Sequence, residues 1–265
     1  MLCGAIPADV LGDRLDWRTL SVAAEQRIDP QHVKAVKDPE VQRKIRHAAK
    51  EGIKMHDYPL DEPPSAELRE KVDHRIEEWL KDRKNKAAKQ VHLTDCHPWQ
   101  DIEHRQYHAA IDQHGKVHCF IIMALLSPEH GWQVKFALDF PDATSGAIEM
   151  AILHALSFVG AKGCTDVTFG GGASNEFTPG HNLKGTRVKV LAKAYKSIAT
   201  ELHLTNKSEF RRRLGTEDVG LPFLRLIWRI YADTFCRTRY MSVIHLMVLD
   251  LLVCYLTPIL GRPSC

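Results

Sequence analysis

The densest charge in the chain lies in residues 184–213. There Lys184, Arg187, Lys189, Lys193, Lys196, Lys207, Arg211, Arg212 and Arg213 meet only two acids, Glu201 and Glu209. The segment carries a net +7 in a chain whose total is +3, so the other residues sum to −4. Lys189, Lys193 and Lys196 fall at i, i+4 and i+7, which puts them on one helix face beside an apolar stripe. A one-sided cationic stripe followed by an arginine triplet suits a phosphate backbone. The same residues also make a solvated lysine face, but the asymmetry of charge along the chain favours a nucleic acid.

Phe169-Gly170-Gly171-Gly172-Ala173-Ser174 follows an apolar run. Glycines let backbone N–H groups approach and cradle an oxyanion or phosphate, and they equally make a tight turn. The run is neither a Walker loop, since no GK[ST] follows, nor GxGxxG. Asp139 and Glu149 flank the loop FPDATSGAIE. Carboxylates so placed can serve as a general base or hold an amine; an acid in a first helical turn can also simply complement the dipole. That acidic loop lacks the arginine-glycine run an acetyl-CoA pyrophosphate would want, which argues against an ordinary acetyltransferase.

Fifteen histidines are present. His104 and His108, at i, i+4, could share a zinc ion with Cys96 or His97. There is no HExxH, so we read the histidines as polar surface residues and expect no metal. No G-x-S-x-G elbow or Ser-His-Asp order occurs. The seven cysteines, Cys3, Cys96, Cys119, Cys164, Cys236, Cys254 and Cys265, are odd in number and widely spaced without CxxC, as expected of free thiols in a reducing cytoplasm.

These groups need elements to position them. Residues 38–54 read as a helix capped by Asp38 and ended by Gly52, with Val41, Ile45 and Ala48 or Ala49 on its apolar stripe. DYPLDEPPS (57–65) reads as a Pro-rich linker, and 65–84 as a charged surface helix with Leu68, Val72, Ile76, and then Trp79 and Leu80, on its apolar stripe. Residues 99–111 read as helix or loop. Residues 116–126 form a buried strand, and 131–140 a strand with Trp132, Val134, Phe136, Leu138 and Phe140 on one face. The two make a hairpin. A buried helix follows at 141–163, capped near Thr144 or Ser145, then a short strand into the glycines and a long helix at 186–204. This order predicts an α/β sheet with helices on its faces.

The 265 residues, 44% hydrophobic and 26% charged, exclude a disordered tail, a collagen-like rod and a multi-span membrane protein. Residues 1–30 contain a short helical stretch and a strand near Trp17–Val22, and the opening lacks a secretory pattern. The first residues read as if they begin partway through a larger domain. Residues 241–260 are mostly apolar and long enough for a bilayer, but Asp250 near the centre opposes insertion by about 2.5–3.5 kcal/mol. Membrane association and a buried tail both fit them.

GWQVKFALDFPDATSGAIEMAILHAL, VTFGGGAS, TPGHNLKG and NKSEFRRRL, in that order, resemble the phosphatidylglycerol lysyltransferase C-terminal domain family. Within it the strongest likeness is to the fungal ergosteryl-aspartate and ergosteryl-glycine synthases. The resemblance runs from about residue 11 to 215. It implies a GNAT-like mixed sheet with helices on both faces, one of a tandem pair. Residues 1–57 would be the end of the first half and the linking helix, 65–215 the second, catalytic domain, and 216–265 an atypical tail. The implied activity is transfer of an amino acid from aminoacyl-tRNA to a lipid hydroxyl, with no cofactor. The implied partners are the tRNA, a membrane lipid or sterol and an aminoacyl-tRNA synthetase; the implied location is cytoplasmic, at or anchored to a membrane. Lys207 and Arg211 would contact the tRNA acceptor end. The Gly171 and Gly172 backbone would hold the oxyanion, and Asp139 or Glu149 would act as base or amine ligand.

Overall fold

A computed structural model describes residues 13–14, 18–86, 96–127, 131–182, 184–201, 206–219 and 225–228. The strands are β1 (Arg18–Ile28), β2 (Lys54–Tyr58), β3 (Arg105–Ile111), β4 (Val117–Ser127), β5 (Gly131–Asp139), β6 (Val167–Pro179), β7 (Glu217–Val219) and β8 (Arg225–Trp228). The helices are α1 (Pro39–Lys50), α2 (Ala66–Lys86), α3 (Ala147–Ala161), α4 (Thr186–Glu201) and α5 (Asn206–Arg213). One mixed sheet runs β2-β3-β4-β5-β6-β1-β7, with β8 also on β1. All pairings are antiparallel except β5 with β6, which the α3 crossover joins in parallel.

The sheet is covered on both faces, as the α/β reading requires. α1 and α3 cover one: Ala48 of α1 and Ala151, Ile152, Ala155, Leu156 and Val159 of α3 bury against Cys119, Ile121 and Met123 of β4. α2 covers the other with Leu68, Val72 and Ile76, over Tyr107, Phe120, Ile122 and Leu138. Trp99, Tyr107 and Phe120 add ring contacts with centroids 5.4–5.8 Å apart, each worth about 0.5–1.5 kcal/mol beyond burial. Asp38 caps α1 as its sequence predicts, its Oδ1 accepting from the N–H groups of Glu40 and Val41 at 2.8 and 3.1 Å.

Several local expectations change. Residues 105–111 are a strand, not helix or loop, with Tyr107 and Ala109 toward α2 and His108 and Ala110 toward α3. Asp57 and Tyr58 belong to β2 rather than to the linker, and pair with β3. β5 does not keep one apolar face. Ile122 pairs with Phe136 and Met123 with Val134, so Lys135 is an extra residue at a bulge. The bulge turns Trp132 and Val134 to the α3 side and Phe136, Leu138 and Phe140 to the α2 side. α3 is capped by Gly146, not Thr144 or Ser145: its φ is +90°, and a Cβ there would lie 2.2 Å from the Lys44 carbonyl oxygen. The triple glycine lies inside the 13-residue β6 rather than in a loop, and NKSEFR lies in the helix α5.

Candidate functional site

The parallel ladder between β5 and β6 holds two pairs, Trp132 with Val167 and Gln133 with Thr168, and then ends. β5 continues on β4, while β6 continues on β1. Beyond Gln133 and Thr168 the two strands no longer pair with each other, and the Gly170 N–H on that stretch of β6 donates to Thr168 Oγ1 at 2.9 Å. Gly171 and Gly172 lie on that stretch, opposite Glu25 and Ala24 of β1. As strand residues they direct their amides to opposite edges, so the pair does not form a loop nest.

α5 packs across β6 and sets the site's main cation. Ser208 Oγ donates to the Ala173 carbonyl at 3.0 Å, and Gln26 Nε2 of β1 donates to the Ser208 carbonyl at 3.1 Å. A Cβ on Gly172 would meet Ser208 Oγ at 2.7 Å and Arg211 Nη1 at 3.5 Å, so the glycine is what lets α5 approach. Arg211 lies one turn past Ser208, on the same inward face. Its guanidinium carbon sits 5.5 Å from the Phe169 ring centroid. Nη1 is buried and has no hydrogen-bond partner among the described residues. Burial lowers the Arg211 pKa to about 10, so the group remains a cation at neutral pH.

The other cations divide. Lys184, Lys189, Lys193 and Lys196 are exposed, the last three along α4, while Tyr195 and Ala199 bury against the fold. Tyr195 donates to the Ser174 carbonyl at 2.6 Å, fixing α4 on β6. Arg212 and Arg213 are exposed at the end of α5, with Arg213 close enough to Lys44 to repel it. The side chains of Arg187 and Lys207 lie outside the described residues.

The carboxylates sit around Cys119 of β4. Asp139 is exposed at the end of β5 and accepts from Cys119 Sγ at 3.3 Å. Glu149 is buried in the first turn of α3 and accepts from Lys44 Nζ at 2.8 Å, tying α1 to α3. That hydrogen bond raises Lys44 above the ordinary lysine range. Burial and then the charge of Asp139 push the Cys119 thiol far up, so it is not a nucleophile at neutral pH. The site thus brings Gly172, Ser208 and Arg211 together, groups Asp139 with Glu149 through Cys119, and leaves the α4 lysines facing solvent.

The sequence reading passes over a second constellation. Asp57 of β2 takes His108 Nδ1 of β3 at 2.6 Å and His154 Nε2 of α3 at 2.8 Å, both on Oδ1. His104 and Cys96 are not part of it: His104 is exposed in a 3-10 turn, and Cys96 packs on the α2 side of the sheet.

No protein-family model matches the sequence, and no curated protein does either. Solved structures do share its fold. L-PGS from Bacillus licheniformis superposes with a TM-score of 0.60 over 96% of this chain and 70% of that one, at 13% identity. The C-terminal domain (DUF2156) of a putative lysylphosphatidylglycerol synthetase from Agrobacterium fabrum gives a TM-score of 0.54 over 75% of this chain and 59% of that one, at 10% identity. The fold is therefore the GNAT-like α/β architecture of those proteins. Residues 241–260 lie outside the described residues; among the described residues no helix is long and apolar enough to cross a membrane.

Proposed function

We propose that this chain moves an aminoacyl group from aminoacyl-tRNA to a lipid hydroxyl, either a sterol 3-hydroxyl or phosphatidylglycerol. The observation that carries the reading is Arg211: a half-buried arginine whose buried Nη1 has no partner among the described residues, packed on β6 just beyond the point where β5 and β6 part. A buried cation without an anion is costly, and a ligand phosphate or carboxylate would offset that cost. The exposed lysines of α4 and the end of α5 supply a diffuse cationic field around it, suited to a polyanion. The fold shared with a lipid-aminoacylating enzyme supports the same reaction class.

An aminoacyl ester is already activated, so the transfer needs positioning and charge stabilisation more than bond-making power. In this scheme Arg211 and Lys207 hold the acceptor end. A β6 amide at Gly171 or Gly172 faces the tetrahedral oxyanion. Asp139 either takes the acceptor hydroxyl's proton and passes it to the ribose oxygen of the tRNA as that ester bond breaks, or holds the α-amino group. Glu149, engaged by Lys44, serves the scaffold rather than the proton transfer, and that engagement favours a second reading in which the chain binds RNA without transferring anything.

Incubating the protein with radiolabelled aminoacyl-tRNA and vesicles containing ergosterol, phosphatidylglycerol or neither separates the two. Label extracted with one lipid supports transfer and names the acceptor. Salt-sensitive tRNA binding with no labelled lipid under any condition rejects it in favour of binding alone.

A further inference from the structure

We propose that Asp57, His108 and His154 form a binding site for a divalent transition-metal ion, with Zn²⁺ the ion their chemistry suits best. Each residue offers one ligand atom, and the three atoms lie within 4.8 Å of one another. Two imidazoles and one carboxylate are a zinc donor set, and three protein ligands leave a fourth position open. Bonds of about 2.0–2.2 Å in a tetrahedron separate donors by about 3.3 Å, so opening the present 2.6 and 2.8 Å contacts asks for well under 1 Å of movement at each.

Its surroundings fit an ion. His108 is anchored, 1% exposed at its side chain, with its ring edge-on to Phe158 at 5.1 Å. Asp57 and His154 are 29% and 36% exposed, which gives a route in and room for a water ligand. His108 turns Nδ1 to Asp57 and would bind the ion through that nitrogen. Its far nitrogen, Nε2, lies 3.3 Å from the Gln106 amide nitrogen, and Gln106 Oε1 is buried without a partner. Turning that amide over presents Oε1 to Nε2–H, the tautomer that leaves the Nδ1 lone pair for a metal. Lys162, the nearby cation, keeps its Nζ 4.4 Å from the Phe158 ring centroid.

The three ligands come from β2, β3 and α3, and β2 is an edge strand. An ion there would pin the segment before residue 59 to the body of the sheet. This site lies at the opposite end of the sheet from Arg211 and is independent of the aminoacyl-transfer reading.

The test uses the full chain, stripped with chelator and titrated with Zn²⁺ alone, with bound metal read by equilibrium dialysis and thermal unfolding followed in parallel. The expected result is one equivalent bound, with a rise in the unfolding midpoint. Asp57→Asn and His154→Asn should each weaken that binding by at least about tenfold, while the exposed His114→Asn leaves it unchanged. His108 is too buried for its loss to be read cleanly, so the two exposed ligands carry the test. If the wild type binds Zn²⁺ no more tightly than the Asp57→Asn/His154→Asn double variant, which keeps every other histidine, the proposal is overturned.

Discussion

The two ends of the sheet treat buried polar groups in opposite ways. At the β2–β3 end, one carboxylate receives two imidazoles, so Asp57, His108 and His154 satisfy one another. Burial alone would raise Asp57; the two histidine hydrogen bonds hold it below the ordinary aspartate range instead. At the β6–β1 end, Arg211 packs half-buried against Phe169, its buried Nη1 unpartnered and without a carboxylate ion pair among the described residues. The first arrangement joins three distant segments and stabilises the fold. The second is a charge that no described carboxylate answers, as expected of a group that meets an anionic ligand.

Substitutions at the two ends should therefore separate stability from binding. The largest effect belongs to His108→Ala, which opens a cavity in a fully buried position and strips a donor from Asp57; urea denaturation should show a loss of about 2–4 kcal/mol with RNA affinity in the folded fraction unchanged. Arg211→Ala should reverse the pattern. We expect tRNA affinity about 10–100-fold weaker by fluorescence anisotropy, with stability unchanged or slightly raised, because an unpaired buried charge is removed. A loss of stability without a loss of affinity would assign Arg211 to the scaffold and erase the contrast.

Smaller effects sharpen it. Gly172→Ala should displace Ser208 Oγ from the Ala173 carbonyl and cost about 1 kcal/mol, while weakening tRNA binding by shifting α5. Lys189→Ala, Lys193→Ala or Lys196→Ala should each reduce affinity only a few-fold and lower the salt slope by about 1, measured between low and moderate salt. The Lys44–Glu149 pair belongs to the scaffold and has its own pH signature. Lys44 is raised above 10.5 in the folded protein, so its contribution is fully present below that value and lost as pH rises through the raised one. The stability gap between wild type and Glu149→Gln should hold from neutral pH to about pH 10 and close above it.

The α1 cap, the β4 strand and the α2 stripe were legible because their signals are local: a capping residue, an apolar run, a helical period. β3 was not, since Gln106 and His108 make its alternation look polar, and the carboxylate that lets His108 be buried comes from Asp57, far away in sequence. The bulge at Lys135 was equally hidden, because a period-two pattern cannot show where one extra residue flips the faces. The cationic segment was readable as charge. Which of three consecutive arginines turns inward was not; that is set by Ser208 and Gly172 bringing α5 onto β6. Gly172 looked like part of a phosphate loop, yet its missing Cβ makes room for a helix instead.

The most direct test of the central claim is single-turnover transfer from labelled aminoacyl-tRNA to lipid, run with wild type and Arg211→Ala side by side. The wild type should give labelled lipid and the variant at least about tenfold less, with both proteins equally folded. Equal label from the two, or none from a wild type that binds the tRNA, would contradict it.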